Sequence, residues 1–285
     1  MRPGEASRTA QWVAFARGLG PYHRFPLVED PLAAELLGGS LATLLRLAAA
    51  FPALARVLVH TGDVVTGGRT RFMCYRTRFL DDAVRAAAAR GVNQLVILGA
   101  GLDARAWRLG PALAGVTVFE VDHPDTQQLK RSRLEARPPH AAAVRFVGVD
   151  FAVDALDQRL LEAGFNRERP ALVLWEGVVM YLEPAAIDAT LGTLRGLLAP
   201  GSTVAISYSR TGSGRGALLR RVVGVAVAAA GERFRHHEEP AEMRERLGRA
   251  DFRVTGDEGH PDWVPRHEPR ATTWDIQRIV VAERQ

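Results

Sequence analysis

Three short stretches of this 285-residue chain place glycines and acids directly after apolar runs. Leu95-Val96-Ile97-Leu98 runs into Gly99-Ala100-Gly101, Val118-Phe119-Glu120-Val121 runs into Asp122, and Gly148-Val149 runs into Asp150-Phe151. Glycines after a strand allow positive φ and let the backbone approach a ligand closely. A carboxylate at the end of the next strand can accept both hydroxyls of a ribose. A further acid after a third strand lies along the same edge, where an adenine would sit. Taken in order, these residues point to a nucleoside-containing ligand. The loop alone is ambiguous: Gly99-Ala100-Gly101-Leu102-Asp103-Ala104 also fits the GxGxxA form of a dinucleotide fingerprint, with an acid about 20 residues on.

The elements that must hold these residues follow from periodicity. Residues 94–98, 116–121, 144–149, 171–175 and 203–208 are short runs of Val, Leu and Ile without polar alternation, as expected for strands of a parallel sheet covered on both faces. Helical patterns lie between them near 125–134, 153–163 and 183–198. This alternation predicts a doubly wound, Rossmann-like α/β sheet. Residues 252–255 and 272–282 read as two more strands, joined by a loop holding Pro261, Pro265 and Pro269. Without a crossover helix they should pair antiparallel, giving five parallel strands plus a C-terminal antiparallel pair. Up to residue 90 the pattern is helical, with Leu32, Leu36 and Leu37 on one face, a second helix from Ser40 to Pro52, and a third after Gly67-Gly68. We read one domain, 1–285, with a helical N-terminal arm at 1–90 and a segment at 209–239 that should cover an acceptor. Its apolar 217–230 stretch suits a hydrophobic small molecule.

Two features favour a methyl donor over a nicotinamide dinucleotide. A dinucleotide domain usually continues into a second βαβαβ half, whereas here the chain runs into a proline-rich hairpin. Asp103, next to the loop, would repel phosphates but welcome the sulfonium and ammonium of S-adenosylmethionine.

Composition excludes other classes. Hydrophobic residues are 47% and charged residues 24%, ordinary globular usage. The net charge of +5 and pI of about 10.1 come from arginines dispersed among acids, with Lys130 the one lysine, so nucleic-acid binding is not expected. Cys74 is alone, which excludes an internal disulfide or a cysteine metal cluster and suggests a small buried residue. Residues 1–11 have no apolar signal core, and no apolar stretch reaches the roughly 20 residues a membrane span needs, so the expected location is cytoplasmic.

Longer segments stand out at Ala6-Ser7-Arg8-Thr9-Ala10, Asp30-Pro31-Leu32-Ala33, Arg76-Thr77-Arg78-Phe79-Leu80-Asp81-Asp82, Leu98 through Leu109, Phe119-Glu120-Val121-Asp122-His123-Pro124 with Lys130, and Leu174-Trp175-Glu176-Gly177-Val178-Val179-Met180-Tyr181-Leu182. Together they resemble the leucine carboxyl methyltransferase-like family, in its bacterial secondary-metabolism branch. The resemblance implies an S-adenosylmethionine-dependent O-methyltransferase. It implies Arg76 at the cofactor carboxylate, Gly99 and Gly101 in the methionine loop, and Asp122 on the ribose, with Glu120 the second choice. It also implies Asp150 and Phe151 at the adenine, Glu176 as a further cofactor contact and Tyr181 near the reacting centre. The lysine that the eukaryotic branch uses for the cofactor carboxylate is missing from the Ser7–Ala10 stretch, where Arg8 is a candidate replacement.

The partner expected is a small-molecule acceptor offering a carboxylate or hydroxyl of a polyketide-like metabolite; oligomeric state is left open. A carboxylate needs no general base, in keeping with the lack of an obvious His–acid pair. A phenol would need one, and His123 or His236 are the candidates. His236-His237-Glu238-Glu239 looks metal-binding, but adjacent histidines diverge on a helix and Pro240 marks a loop before a helix at 241–250, so no metal is expected. His260 and His267 lie in the proline-rich loop, and Ser207 lacks a nucleophile elbow. The alternatives are an NAD(P)-dependent oxidoreductase using the same loop, or a non-catalytic binding module of this fold.

Overall fold

The computed structural model describes residues 7–66, 68–150, 154–211, 235–268 and 275–285. Its centre is β1 (Gln94–Leu98), which pairs in parallel with β2 (Thr117–Asp122) on one side and β4 (Leu172–Trp175) on the other. Beyond β2 lies β3 (Ala143–Gly148), and beyond β4 lies β5 (Thr203–Ser209), both parallel. The sheet is completed by β7 (Gln277–Arg284), antiparallel to β5, and by β6 (Phe252–Gly259) outside it, in the order β3-β2-β1-β4-β5-β7-β6. Five parallel strands and an antiparallel C-terminal pair are therefore present as expected.

Alternation along each strand explains why the runs are wholly apolar. Leu95, Ile97, Val118 and Leu172 feed one core, while Val96, Leu98, Phe119 and Val173 feed the other. The faces of the central strands are shielded from water, so apolar residues dominate them, and a buried polar exception such as Glu120 is paired. Helix α6 (Arg105–Arg108) follows β1 and α7 (Pro124–Leu134) follows β2, and the second core is closed by α8 (Leu156–Glu162), α9 (Pro184–Leu197) and α10 (Pro240–Arg249).

The first face is covered by five N-terminal helices: α1 (Arg8–Gly18), α2 (Ala33–Leu37), α3 (Gly39–Ala50), α4 (Pro52–Thr66) and α5 (Arg69–Ala89). Their side chains join the sheet in one continuous cluster. Two of these helices differ from the sequence expectation. α1 was not anticipated because it buries Ala14 and Ala16, with no stripe of large apolar residues. α4 begins where α3 was expected to stop: Pro52 lacks an N–H to donate and is well placed in a first helical turn. α5 is buried nearly all round over its first half, including Arg76, Thr77 and Asp81, and Cys74 is fully buried there, its thiol pushed up to about 12 by burial.

The C-terminal pair differs in extent. β6 runs on past residue 255 to Gly259, through a register shift between Val254 and Gly256, and its polar end hid it: Asp257 accepts from the Tyr208 hydroxyl at 2.7 Å and from Arg278 at 2.8 Å. β7 begins at Gln277, and residues 269–274 of the anticipated strand and loop lie outside the described residues. The expected plain loop contains a short helical turn, His260–Trp263, that packs Trp263 against Phe72 and Phe79. Among the described residues no helix is long and apolar enough to cross a membrane.

Candidate functional site

β1 ends in a turn whose backbone only glycine adopts easily. Gly99 and Gly101 have φ of +67° and +49°, and a Cβ on Gly99 would collide with Val178 Cγ2. The amides of Gly99 and Ala100 both donate to Val121 O of β2, at 2.8 and 3.0 Å, which ties the turn to the neighbouring strand end. The Asp122 carboxylate lies beside the loop, accepting from Gly101 N at 2.6 Å and from His123 N at 2.7 Å. One oxygen serves each amide and the Thr126 hydroxyl also lies within reach, which still leaves the carboxylate acceptor capacity for an outside donor. Burial raises the Asp122 carboxyl from its ordinary value, against these two amide bonds, the Lys130 charge and the Thr126 hydroxyl.

Asp150 follows β3, one strand further out; Val149 N donates to Asp122 O at 3.0 Å. Phe151 lies outside the described residues. On the other side of β1, Glu176 follows β4, and Gly177 donates its N–H to Ser207 Oγ of β5 at 2.7 Å. Thus Asp150, Asp122, the glycine loop and Glu176 occupy four adjacent strand ends at the carboxyl edge, where open α/β sheets bind ligands.

Arg76 reaches this edge from α5. Its Nε donates to Glu176 Oε1 at 2.9 Å and its Nη1 to Gln277 Oε1 at 3.4 Å, while Nη2 has no partner among the described residues. Glu176 is engaged twice, since Oε2 accepts from Arg105 at 2.9 Å, and the two arginines hold its carboxyl below the ordinary range despite burial. Tyr181 stands on a 3-10 turn, Val179–Tyr181, its hydroxyl 3.5 Å from Thr9 Oγ1 of α1. Ala10, next in α1, faces Gly101. The N-terminus of α1 thus roofs both the glycine loop and Tyr181.

Sequence reasoning missed the charge network beneath. Arg105, 1% exposed, donates to Asp81 at 2.8 Å, to Glu176 and to Asp103. Arg108 also binds Asp81, at 2.6 Å, and Arg17 binds Asp30 at 2.8 Å and Leu102 O at 2.6 Å. Asp103 was expected to lend its charge to the ligand. Instead it is buried against Arg105, which together with Arg17 and Lys130 holds it down to about 2 despite burial, so its charge is neutralised inside the protein. Glu120 is likewise unavailable: it pairs with Lys130 at 2.6 Å, both 1% exposed, with the ammonium over the Trp107 ring at 5.3 Å. Arg8, the candidate replacement for the missing lysine, is exposed. A cation not anticipated, Arg69, lies near Tyr181 and Arg76 and over the Trp12 ring; burial pushes its guanidinium down to about 10.

A family model described as leucine carboxyl methyltransferase matches residues 10–195. The chain belongs to the leucine carboxyl methyltransferase family. A relative from Mycolicibacterium paratuberculosis, 37% identical over 72% of this chain and 67% of its own length, is named for S-adenosyl-L-methionine-dependent methyl transfer. So is one from Mycolicibacterium gilvum, 48% identical over 48% of this chain. That match spans 44% of the relative, less than half its length. The family's fold is also found in a crystal structure from Thermobifida fusca with a methyltransferase name, at TM-score 0.61 and 18% identity over 99% of this chain and 96% of that one. A Streptomyces avermitilis structure of a DUF574 family protein superimposes at TM-score 0.58 and 17% identity, over 99% of this chain and 98% of that one. In this family member, the expected cofactor residues Arg76, Gly99, Gly101, Asp122, Asp150 and Glu176 converge on one edge, and Tyr181 adjoins it.

Proposed function

We propose that this chain transfers a methyl group from S-adenosylmethionine to an oxygen of a small organic acceptor, a carboxylate or hydroxyl of a polyketide-like metabolite. The observation that carries this reading is the spare hydrogen-bonding capacity at the strand ends. Asp122 keeps acceptor capacity beside Gly99 and Gly101, and Arg76 keeps Nη2. A cofactor with a ribose diol at one end and an amino-acid carboxylate at the other matches that set. In this reading Asp122 holds the ribose, with Asp150 and Phe151 at the adenine. The glycine loop backs the methionine portion, Arg76 takes its carboxylate in a charge-assisted bond, and Glu176 fixes Arg76 while lying close to the ammonium. The cofactor's sulfonium supplies an electrophilic methyl group. The protein's part is to align the acceptor in line with it and exclude water, which lowers the barrier mainly through positioning. Tyr181, under the α1 roof, would line the acceptor side.

Titration calorimetry tests the cofactor assignment. S-adenosylhomocysteine should bind, and Asp122→Asn should weaken it by about 10-fold or more, for the loss of a charged acceptor to a diol, at some cost in melting temperature because one backbone amide loses its acceptor. Absence of binding at high micromolar concentration refutes the reading. Transfer of radiolabelled methyl then identifies the acceptor atom: a carboxylate gives a base-labile ester, a hydroxyl a base-stable ether.

A further inference from the structure

Residues 235–239 cross the carboxyl edge of the sheet beside Tyr181. The amides of Arg235 and His236 both donate to Met180 O, at 2.8 and 3.2 Å, and Glu238 N donates to Ser209 O at the end of β5, at 2.9 Å. The segment therefore joins the turn after β4 to the end of β5, next to the ligand edge. In extended backbone, residues two apart share a side. His236 and Glu238 do so, with His236 Nε2 3.0 Å from Glu238 Oε2. Glu238 is 2% exposed, and its other oxygen accepts from Arg246 Nε of α10 at 2.8 Å. Arg246 is itself fixed by Asp188 and by Pro184 O, both in α9. Other titratable and charged groups on or against this segment are His237, Arg235, which pairs with Glu183 at 3.3 Å, and Glu239, which binds Arg210 at 2.6 Å and whose amide donates to Glu242 at 2.8 Å.

This is the arrangement of a base and its orienting acid. A carboxylate fixed by an arginine only accepts, so the His236 proton sits on Nε2 and leaves the Nδ1 lone pair free; Nδ1 has no partner among the described residues. We propose that His236 is the general base for a hydroxyl acceptor, positioned by Glu238 and, through it, by Arg246. This rests on the O-methyltransferase reading and narrows it, since a carboxylate acceptor is already ionised and would not need the pair. The acceptor's O–H proton passes to Nδ1 as its oxygen forms a bond to the donated methyl carbon. The carbon–sulfur bond breaks with its electron pair staying on sulfur, and the imidazolium then releases the proton to solvent.

The test has two arms, both on the full chain. Nitrogen-15 histidine NMR with S-adenosylhomocysteine bound, assigned through His236→Gln, should show His236 protonated at Nε2 and bare at Nδ1; a proton on Nδ1 in neutral His236 overturns the proposal. For turnover, simple phenols up to 2-naphthol and the matched acid 2-naphthoate serve as probes. The wild-type chain should methylate a phenol, and His236→Gln should lower kcat for it by about 100-fold or more, with a far smaller fall in any turnover of 2-naphthoate and S-adenosylhomocysteine still bound. Glu238→Asp should recover more phenol turnover than Glu238→Gln, which a merely structural role would not require. Unchanged phenol turnover in His236→Gln, an equal fall for phenol and acid, or no transfer to any phenol with the cofactor bound overturns the proposal. Transfer to 2-naphthoate alone would do so while leaving the O-methyltransferase reading intact, and failure to bind S-adenosylhomocysteine would instead remove that reading.

Discussion

Replacing Arg105 by Met isolates the buried network from the ligand edge it supports. The side chain is 1% exposed and binds Asp81, Asp103 and Glu176 together. Methionine keeps most of its bulk but leaves three buried carboxylates with one cation fewer. Asp103 gives the scale: its pKa falls from 3.8 to about 2 in the fold. A shift of roughly two units corresponds to about 2.5 kcal/mol, and breaking a buried pair by removing one partner usually costs about 3–5 kcal/mol. We therefore expect urea denaturation at pH 7 to show a loss of about 3–5 kcal/mol. The pH dependence follows from the signs. In the wild-type chain Asp103 titrates below its unfolded value, so its contribution is complete above pH 3.8 and is lost as pH falls through about 2. In the variant Asp81 keeps Arg108 and Glu176 keeps Arg76, but Asp103 loses its direct partner, so burial raises its carboxyl above the unfolded value, a penalty present at neutral pH and relieved as it protonates. The difference between the two proteins should shrink by about half or more between pH 7 and pH 4. A loss under about 1 kcal/mol, or one that does not change with pH, would show that the network does not hold these elements together.

Two further substitutions probe the strand ends. Gly99→Ala combines a left-handed backbone with the collision against Val178 and should cost about 2 kcal/mol or more, with loss of S-adenosylhomocysteine binding; Val178→Ala should recover the steric part only, as read by thermal melts of the single and double variants. Lys130→Met strands Glu120, whose carboxyl burial already pushes up to about 7, and should cost about 3 kcal/mol at pH 7. Because that carboxyl titrates above its unfolded value of 4.5, the variant's own stability should rise as pH falls from 7 towards 4.5, as the cost of ionising Glu120 is relieved. Stability closer to wild type in the Glu120→Gln, Lys130→Met double variant is the companion result, and a double variant as unstable as Lys130→Met alone would contradict it.

The parallel strands were legible because a sheet covered on both faces forces unbroken apolar runs, and the site acids were legible because they end those runs. α1 was not, since its packing relies on alanines, nor was the far half of β6, whose Asp257 is held by Tyr208 and Arg278 from neighbouring strands. The Arg105 network escaped for a similar reason: beyond Asp103, its partners stand 24 and 71 residues away, and no local pattern announces them. The His236–Glu238 pair escaped differently. Its residues are two apart, a spacing that diverges on a helix and converges only in extended backbone, and Pro240 indicated the loop without indicating its conformation.

The fate of Asp103 alters the grounds for choosing the cofactor. Repulsion of phosphates by Asp103 cannot separate a methyl donor from a dinucleotide, because Arg105 neutralises that charge inside the protein. Topology separates them instead. A dinucleotide fold continues β4 and β5 with a sixth parallel strand and places the second nucleotide over that half. Here β7 runs antiparallel against β5 in that position, and Gln277 at its start bonds Arg76. The strand that displaces a second nucleotide site thus helps to hold the guanidinium assigned to the amino-acid end of the cofactor. That link predicts that Gln277→Ala weakens S-adenosylhomocysteine more than it weakens 5′-methylthioadenosine, which lacks the carboxylate. Equal loss for the two ligands would show that Gln277 acts on the fold and not through Arg76.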